Sequence, residues 1–209
     1  MSDLLKNARF IGERVQESEV QREARARAIE ERLHAVSPAL GAHLSFVMAA
    51  ACPRSIIEVG TGVGVATLWL HRGAPQANIT ALEAEPERLA HARASLVAAG
   101  ARPAQLRFIA GDPMRLLERM TEAAYDAIVV DESLEHVAGY LQHALRLARP
   151  GGTILVLSAL NGGRVADPTR RDPVTANLRS LLRELERQPD LAVSLLPIDG
   201  GVLQIAKRR

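Results

Sequence analysis

Hydrophobic and polar residues follow two different rhythms along this chain, and the first rhythm is helical. Residues 3–36 combine strong helix formers with interleaved charges and predict one helix, which Ser37-Pro38 ends. The following stretch, ALGAHLSFVMAAA, is apolar on nearly every side and predicts a second helix that is buried. We therefore expect an N-terminal helical extension over residues 1–36, ahead of a globular domain that begins at residue 37.

The second rhythm begins near residue 55, where short apolar runs rich in β-branched residues alternate with helical stretches. These runs are SIIEV, ANITALEA, LRFIAG, YDAIVVD and GGTILVLSA. Strands that are apolar almost throughout, with helices between them, are typical of a parallel sheet covered on both faces. After a helix over about residues 173–188, LAVSLLPIDGGVLQIAK predicts two strands joined at Asp199-Gly200-Gly201. The sequence thus predicts an α/β domain over residues 37–209, with a mostly parallel sheet that ends in an antiparallel hairpin.

The composition narrows the class of protein. The 209 residues are 47% hydrophobic, which is enough for the core of one domain. The longest clean apolar run, residues 44–52, is too short to span a bilayer. Cys52, the single cysteine, lies in this run, so we expect a buried structural thiol in a reducing, cytoplasmic protein.

The charge pattern bears on possible partners. The net charge is +2, and most basic residues are interleaved with acidic ones, as on a solvated helix face. Aromatic residues make up only 3% of the chain, too few for base stacking. We therefore expect neither a nucleic-acid partner nor a membrane association.

Glycines cluster where the first predicted strand turns into a helix, in IIEVGTGVGVATL. Gly60, Gly62 and Gly64 let the backbone approach a ligand closely, and the helix N-terminus offers free N–H groups. A P-loop is excluded because no Gly-Lys-Ser/Thr follows, and a dinucleotide fingerprint would need glycine where Val65 stands. The remaining form, E-x-G-x-G-x-G from Glu58, is that of loops that bind S-adenosylmethionine (SAM), a cationic ligand that suits an acid. A tight turn with a purely structural role is the alternative.

Acidic residues also stand at the ends of the next two predicted strands. Glu83, in ITALE, could accept hydrogen bonds from both hydroxyls of a ribose. Asp112 ends the third strand, near where an adenine would lie. Ligands bind at the carboxyl ends of parallel strands, so acids at successive strand ends indicate a nucleoside site. Each acid could instead cap the helix that follows it.

Several segments together resemble one family. EVGTGVGVATLWL, ITALEAEPE, AGDPMRLLERM, YDAIVVD, ALRLARPGGTILV and GGRVADPTRRDPVT are similar to segments of bacterial O-methyltransferases related to catechol and caffeoyl-CoA O-methyltransferases. The resemblance implies a Rossmann-like class I methyltransferase fold with a seven-stranded sheet, SAM as cofactor, a small-molecule methyl acceptor and a homodimer. The cofactor-binding residues predicted from the loop, the strand ends and this resemblance are Glu58, Gly60, Thr61, Gly62, Gly64, Thr67, Glu83, Ala84, Gly111, Asp112 and Asp131.

Members of this family generally hold a divalent cation, but the family's metal ligands map onto this chain incompletely. An Asp after the fourth strand falls on Asp131 and is kept, whereas an Asp-Asn pair after the fifth strand falls on Leu157 and Ser158. The family's Lys, which deprotonates the substrate, falls on Leu134. A hard divalent cation needs several oxygen ligands, so we expect no divalent metal.

Two residues near the fourth strand remain as candidate catalytic residues. His136 could act as a general base near neutral pH, although a surface histidine is the plainer interpretation, and Asp131 could border the methyl donor. We therefore expect a metal-independent, SAM-dependent O-methyltransferase that acts on a small molecule and dimerises through its N-terminal helices. The alternative is a catalytically silent homologue that binds SAM or S-adenosylhomocysteine (SAH) and serves as a regulatory or interaction protein.

Overall fold

The chain folds into three helices followed by alternating strands and helices, and the computed structural model describes residues 3–208. None of the helices in this range is both long and apolar enough to cross a membrane. The helices are α1 (Asp3–Arg14), α2 (Glu19–Glu30), α3 (Pro38–Ala51), α4 (Val65–Gly73), α5 (Pro86–Ala98), α6 (Pro113–Glu118), α7 (Val137–Leu147) and α8 (Pro173–Glu186). The strands are β1 (Ser55–Val59), β2 (Asn78–Glu83), β3 (Leu106–Ala110), β4 (Tyr125–Val130), β5 (Ala148–Val156), β6 (Leu191–Leu196) and β7 (Val202–Lys207).

All of these strands form one seven-stranded sheet in the order β3-β2-β1-β4-β5-β7-β6. Strands β1 to β5 pair in parallel, whereas β7 runs antiparallel to both β5 and β6. The register aligns Val59 with both Leu82 and Val130, so the central strands end side by side at one edge. The predicted parallel sheet with a C-terminal hairpin is confirmed, and its carboxyl edge brings together the residues that follow these strands.

Helices cover both faces of the sheet, each face over its own apolar core. On one face, Leu44 and Met48 of α3 and Trp69 of α4 are buried against the strands. On the other face, Leu141 of α7 and Leu178 of α8 are buried. Burying one such side chain contributes roughly 1.5–3 kcal/mol, so the two cores together hold the strand ends in place beneath the loops that follow them.

The predicted single helix over residues 3–36 is wrong, because the helical stretch is interrupted and ends early. Helix α1 ends at Arg14, and α2 runs only from Glu19 to Glu30. The break is stabilised by a capping box in which Gln21 N donates to Ser18 Oγ (3.2 Å) and Ser18 N donates to Gln21 Oε1 (2.9 Å). Residues 33–37 have no regular secondary structure, which leaves them free to form part of the site.

Helix α3 and the cysteine that ends it are less buried than predicted. Leu44 and Met48 face the core, but Phe46 keeps 69% of its surface exposed, so α3 is buried along one face only. Cys52, expected to be a buried thiol, is exposed. It ends α3 in the left-handed conformation, with a φ of 45°.

Candidate functional site

A cavity of about 330 Å³ opens at the carboxyl edge of the sheet. Its volume lies at the lower end of the range for small-molecule sites. The inner wall includes residues 60–63 after β1, Glu83 at the end of β2, residues 131–133 after β4 and Ser158 after β5. The outer wall includes residues 33–36. The cavity therefore lies where the acids and glycines of the sequence converge.

The glycine loop fits tightly between its neighbours. Gly60 has a φ of +82°, and a Cβ at this position would lie 2.1 Å from the carbonyl oxygen of Asp131. Gly64 has a φ of +93°, and a Cβ there would lie 2.9 Å from Cα of Ala92 on α5. Any larger residue would strain the backbone and push the loop away from β4 or α5. The packing of the loop therefore requires glycine at both positions.

Glu58 lies beneath the loop and is completely buried. The hydroxyl of Thr67, which is equally buried, donates a hydrogen bond to its Oε2 (2.5 Å). Burial raises the pKa of Glu58 to about 8; the Thr67 hydrogen bond opposes this rise, and the negative charge of Asp131 adds to it. Glu58 Oε1 and Thr61 Oγ1 have no hydrogen-bond partner among residues 3–208. The Thr61 hydroxyl also opposes the rise in the pKa of Glu58, so the two groups lie close together beneath the loop, and Thr61 is the one of the two that lines the cavity.

Glu83 ends β2 and is held by backbone groups while it lines the cavity. Its Oε2 accepts a hydrogen bond from Gly62 N (2.9 Å), and its Oε1 accepts one from Glu85 N (3.2 Å). Arg88 Nη1 lies 3.4 Å from the same Oε1. An ionised carboxylate offers about four lone-pair sites, so these contacts leave acceptor capacity for a ligand.

Asp131 follows β4 and also lines the cavity. Burial raises its pKa to about 7, and the negative charges of Glu132 and Asp199 add to the rise. The neighbouring strand end supplies only the buried apolar side chain of Leu157 and the hydroxyl of Ser158. Within the described range, no group of three or more histidine, cysteine, aspartate or glutamate side chains is placed to hold a metal ion. These residues do not fit a hard divalent cation, which needs several oxygen ligands.

Residues 31–37, which we call the strap, are tied down at both ends beside the cavity. At one end, Glu31 Oε2 lies 3.5 Å from Nε of Arg88, the arginine that also contacts Glu83. At the other end, Ser37 N donates a hydrogen bond to Asp199 Oδ2 in the turn between β6 and β7 (2.8 Å). The strap therefore spans from the end of β2 to the C-terminal hairpin.

The middle of the strap forms the outer wall of the cavity. Leu33, His34, Ala35 and Val36 line it, and Arg25 Nη1 of α2 donates to the carbonyl oxygen of Val36 (2.7 Å). The hydrophobic pattern does not reveal these residues, because it extends the first helix through them. The available signal is Ser37-Pro38, since a residue before proline favours extended backbone and ends a helix.

Some predicted site residues lie away from the cavity lining. Asp112 caps α6 by accepting a hydrogen bond from Met114 N (3.0 Å), the structural alternative for this residue. Ala84 is exposed, and Gly111 follows β3. His136 is exposed in the 3₁₀ turn after β4 and, in the described part of the chain, is not among the residues that line the cavity. A contact of these residues with cofactor or substrate stays a prediction.

The architecture defines the class of the protein. The O-methyltransferase TomG from Streptomyces achromogenes, solved in complex with SAM, is 24% identical with a TM-score of 0.85, and the alignment covers 100% of both chains. An O-methyltransferase from Bacillus cereus, solved in complex with SAH, is 23% identical with a TM-score of 0.84 over 97% of both chains. A Corynebacterium glutamicum protein is 23% identical with a TM-score of 0.90, over 99% of this chain and 98% of that one. The chain has the class I methyltransferase fold, as predicted.

Sequence comparison then identifies the family. The O-methyltransferase family matches residues 13–208. A Mycobacterium avium protein whose name assigns it to the O-methyltransferases is 36% identical over 181 residues, 86% of this chain and 82% of that protein. A Mycobacterium marinum protein with the same name is 35% identical over 190 residues, 90% of this chain and 85% of that protein. The chain belongs to the O-methyltransferase family, and by family it is a SAM-dependent methyltransferase.

Proposed function

We propose that this protein transfers the methyl group of SAM to an oxygen atom of a small molecule without a divalent metal. The observation that carries the proposal is the cavity at the carboxyl edge of the sheet. There, the glycine loop lies beside acidic side chains that can still accept hydrogen bonds. The residues that follow β5 are Leu157, which has no oxygen ligand for a metal, and Ser158. Membership of the family supports SAM as the donor and oxygen as the accepting atom.

The charges around the cavity suit SAM, which carries a positive sulfonium and an ammonium group. Glu58 lies under the glycine loop and Asp131 beside it, and burial raises the pKa of both carboxyls. A positive ligand charge favours their ionised forms and so opposes the effect of burial. Thr61 Oγ1 and the carboxylate of Glu83 add hydrogen-bonding groups for the polar parts of the cofactor.

Methyl transfer from a sulfonium mainly requires that donor and acceptor are aligned. A cavity that the strap lines along one side supports such alignment, because its walls limit the positions that the two molecules can take. Asp131 is the better placed of the two predicted catalytic residues, since it lines the cavity and its negative charge favours a sulfonium nearby. His136 lies on the exposed turn after β4.

Glu83→Ala tests the cofactor site. The substitution should weaken SAM binding, measured by calorimetry, at least about tenfold, because hydrogen bonds to a charged group contribute about 1.5–3 kcal/mol each. The control is Glu85→Ala, which removes an exposed carboxylate two residues away and should leave the affinity unchanged. A parent protein that does not bind SAM contradicts the proposed cofactor.

Chelation tests metal independence. With catechol as the probe acceptor, SAH formation should be equal with and without EDTA. Leu157 supplies no oxygen ligand, and no group of three or more histidine, cysteine, aspartate or glutamate side chains in the described residues is placed to form the cage of oxygens that a cation needs. A calorimetric titration with Mg²⁺ should show no site tighter than about micromolar, or about −8 kcal/mol. A tight site, or activity lost on chelation, contradicts the proposal.

SAM binding without turnover of phenols, acids, thiols or amines would instead support a regulatory SAM-binding protein.

We also propose that the protein is a homodimer formed through its N-terminal helices. Phe10 and Ile11 of α1 are 59% and 51% exposed, and Phe46 of α3 is 69% exposed. Helices α1 and α3 contact each other. Large apolar side chains exposed on neighbouring elements mark interaction sites, and a second copy of the chain is the occupant that the family implies.

A further inference from the structure

The strap carries an imidazole along the outer wall of the cofactor cavity. His34 lines the cavity and is exposed to solvent. Its position between the two ends of the strap is defined by three contacts: the Glu31–Arg88 ion pair, the Arg25 hydrogen bond to the carbonyl of Val36, and the Ser37 hydrogen bond to Asp199. The fold therefore presents His34 to the bound molecules at a defined place.

The neighbours of His34 along the strap indicate which part of the cavity it faces. Glu31 lies at the Glu83 end through Arg88, and Ser37 lies at the Asp199 end. Leu160 N donates a hydrogen bond to the carbonyl oxygen of Gly200 (2.7 Å), which places the turn that contains Asp199, and with it this end of the strap, beside the segment after β5. His34 stands between these ends, next to Leu33, whose Cδ1 lies 3.6 Å from the position that a Cβ on Gly62 would occupy.

The other ionisable groups of the cavity are poorly suited to take a proton from a methyl acceptor. Glu83 is held in place by Gly62 N, Glu85 N and Arg88, and its remaining acceptor capacity is assigned to the cofactor. Arg88 is a permanent cation. Asp131 and Glu132 lie next to each other, and a sulfonium nearby favours the ionised form of each, which makes them weaker bases. An imidazole is the side chain whose ordinary titration range suits general-base catalysis near neutral pH.

We propose that His34 is the general base of the methyl transfer, an inference that rests on the proposed function. A lone pair of the acceptor oxygen forms the O–CH₃ bond while the S–CH₃ bond breaks, and the electron pair of that bond stays on sulfur as the neutral sulfide of SAH. The proton of the acceptor hydroxyl moves to the unprotonated ring nitrogen of His34. Because His34 is exposed to solvent, the imidazolium then releases this proton to water.

The first test locates His34 by NMR and does not depend on turnover. The imidazole C–H resonances of His34, assigned with His34→Gln, should shift when SAM is added, and they should shift less with SAH, which lacks the sulfonium charge. Those of His143, on the outer helix α7, should not move. SAM that fails to bind contradicts the proposed function, whereas SAM that binds without moving the His34 resonances overturns only this inference.

The second test compares two acceptors that differ in their need for a base. Catechol is mostly un-ionised at neutral pH, whereas 4-nitrophenol is already substantially ionised. His34→Gln should lower kcat/KM for catechol about 100-fold, remove the acid limb of its pH profile, and leave 4-nitrophenol almost unaffected. His143→Gln is the matched control and should behave as the parent protein. An equal loss with both phenols, no loss with either, or the selective loss in His136→Gln instead overturns the proposal.

Discussion

At the scale of single residues, the buried carboxyl of Glu58 has the largest consequence for the free protein. Its pKa is raised from an ordinary value of 4.5 to about 8, first of all by burial. The pKa of Asp131 is also raised by burial, from 3.8 to about 7. At neutral pH Glu58 is therefore mostly protonated in the folded protein and ionised in the unfolded chain, so folding takes up a proton.

This proton uptake determines how stability depends on pH. Between about pH 4.5 and pH 8 the folded protein binds more protons than the unfolded chain, so the free energy of unfolding should fall as the pH rises through this window. Glu58→Gln, which imitates the protonated acid, should reduce the fall by about 1.4 kcal/mol per pH unit. Denaturant unfolding of the SAM-free protein at several pH values measures the effect. Glu118→Gln, at an exposed carboxyl, should keep the parental slope.

At the scale of elements, the start of α2 depends on the capping box of Ser18 and Gln21. Ser18→Ala leaves N–H groups of the first turn without an acceptor and should lower the free energy of unfolding by about 1 kcal/mol. Thermal and urea unfolding measure this change, and Ser18→Asp, which restores a capping oxygen, should recover most of it. Equal stability of Ser18→Ala and the parent protein would show that the cap is dispensable.

The same capping box shows what could be predicted from the sequence and what could not. Residues 15–18 contain neither glycine nor proline, so composition gives no reason to end α1 there. The spacing of Ser18 and Gln21 is a recognised signal of a helix start, but the helical pattern on either side of it hides the break. The strands are easier to predict, because continuous apolar runs such as YDAIVVD have few alternatives between two layers of helices.

The candidate site likewise contains some residues that the sequence predicts and some that it does not. Gly60, Glu83 and Asp131 are predictable because residues after parallel strands meet at one edge of the sheet. The strap is not, since its place depends on side chains far away in sequence, such as Asp199, which binds Ser37. The exposure of Phe46 is equally hidden, because a helix that is apolar on nearly every side does not reveal which face meets the core.

At the scale of the whole molecule, the exposed aromatic side chains of α1 and α3 determine the expected assembly. Phe46→Glu should weaken the proposed dimer at least about 100-fold, because burying a Phe contributes roughly 1.5–3 kcal/mol and each dimer has two copies. Analytical ultracentrifugation across a concentration series measures the change. Val97→Glu places the same charge at an exposed apolar position of α5 and should leave the dimer intact. A parent protein that stays monomeric at high concentration contradicts the proposal.

The hydrogen bond between Ser37 and Asp199 joins positions that are 162 residues apart. During translation, Ser37 leaves the ribosome long before Asp199 is made. This end of the strap therefore lacks its hydrogen bond to Asp199 while the central strands are already available to pair. The strap gains its hydrogen bond to Asp199 only when the last hairpin forms. A nascent chain truncated before that hairpin should therefore retain SAM poorly, and cofactor retention would report completion of the fold rather than its beginning.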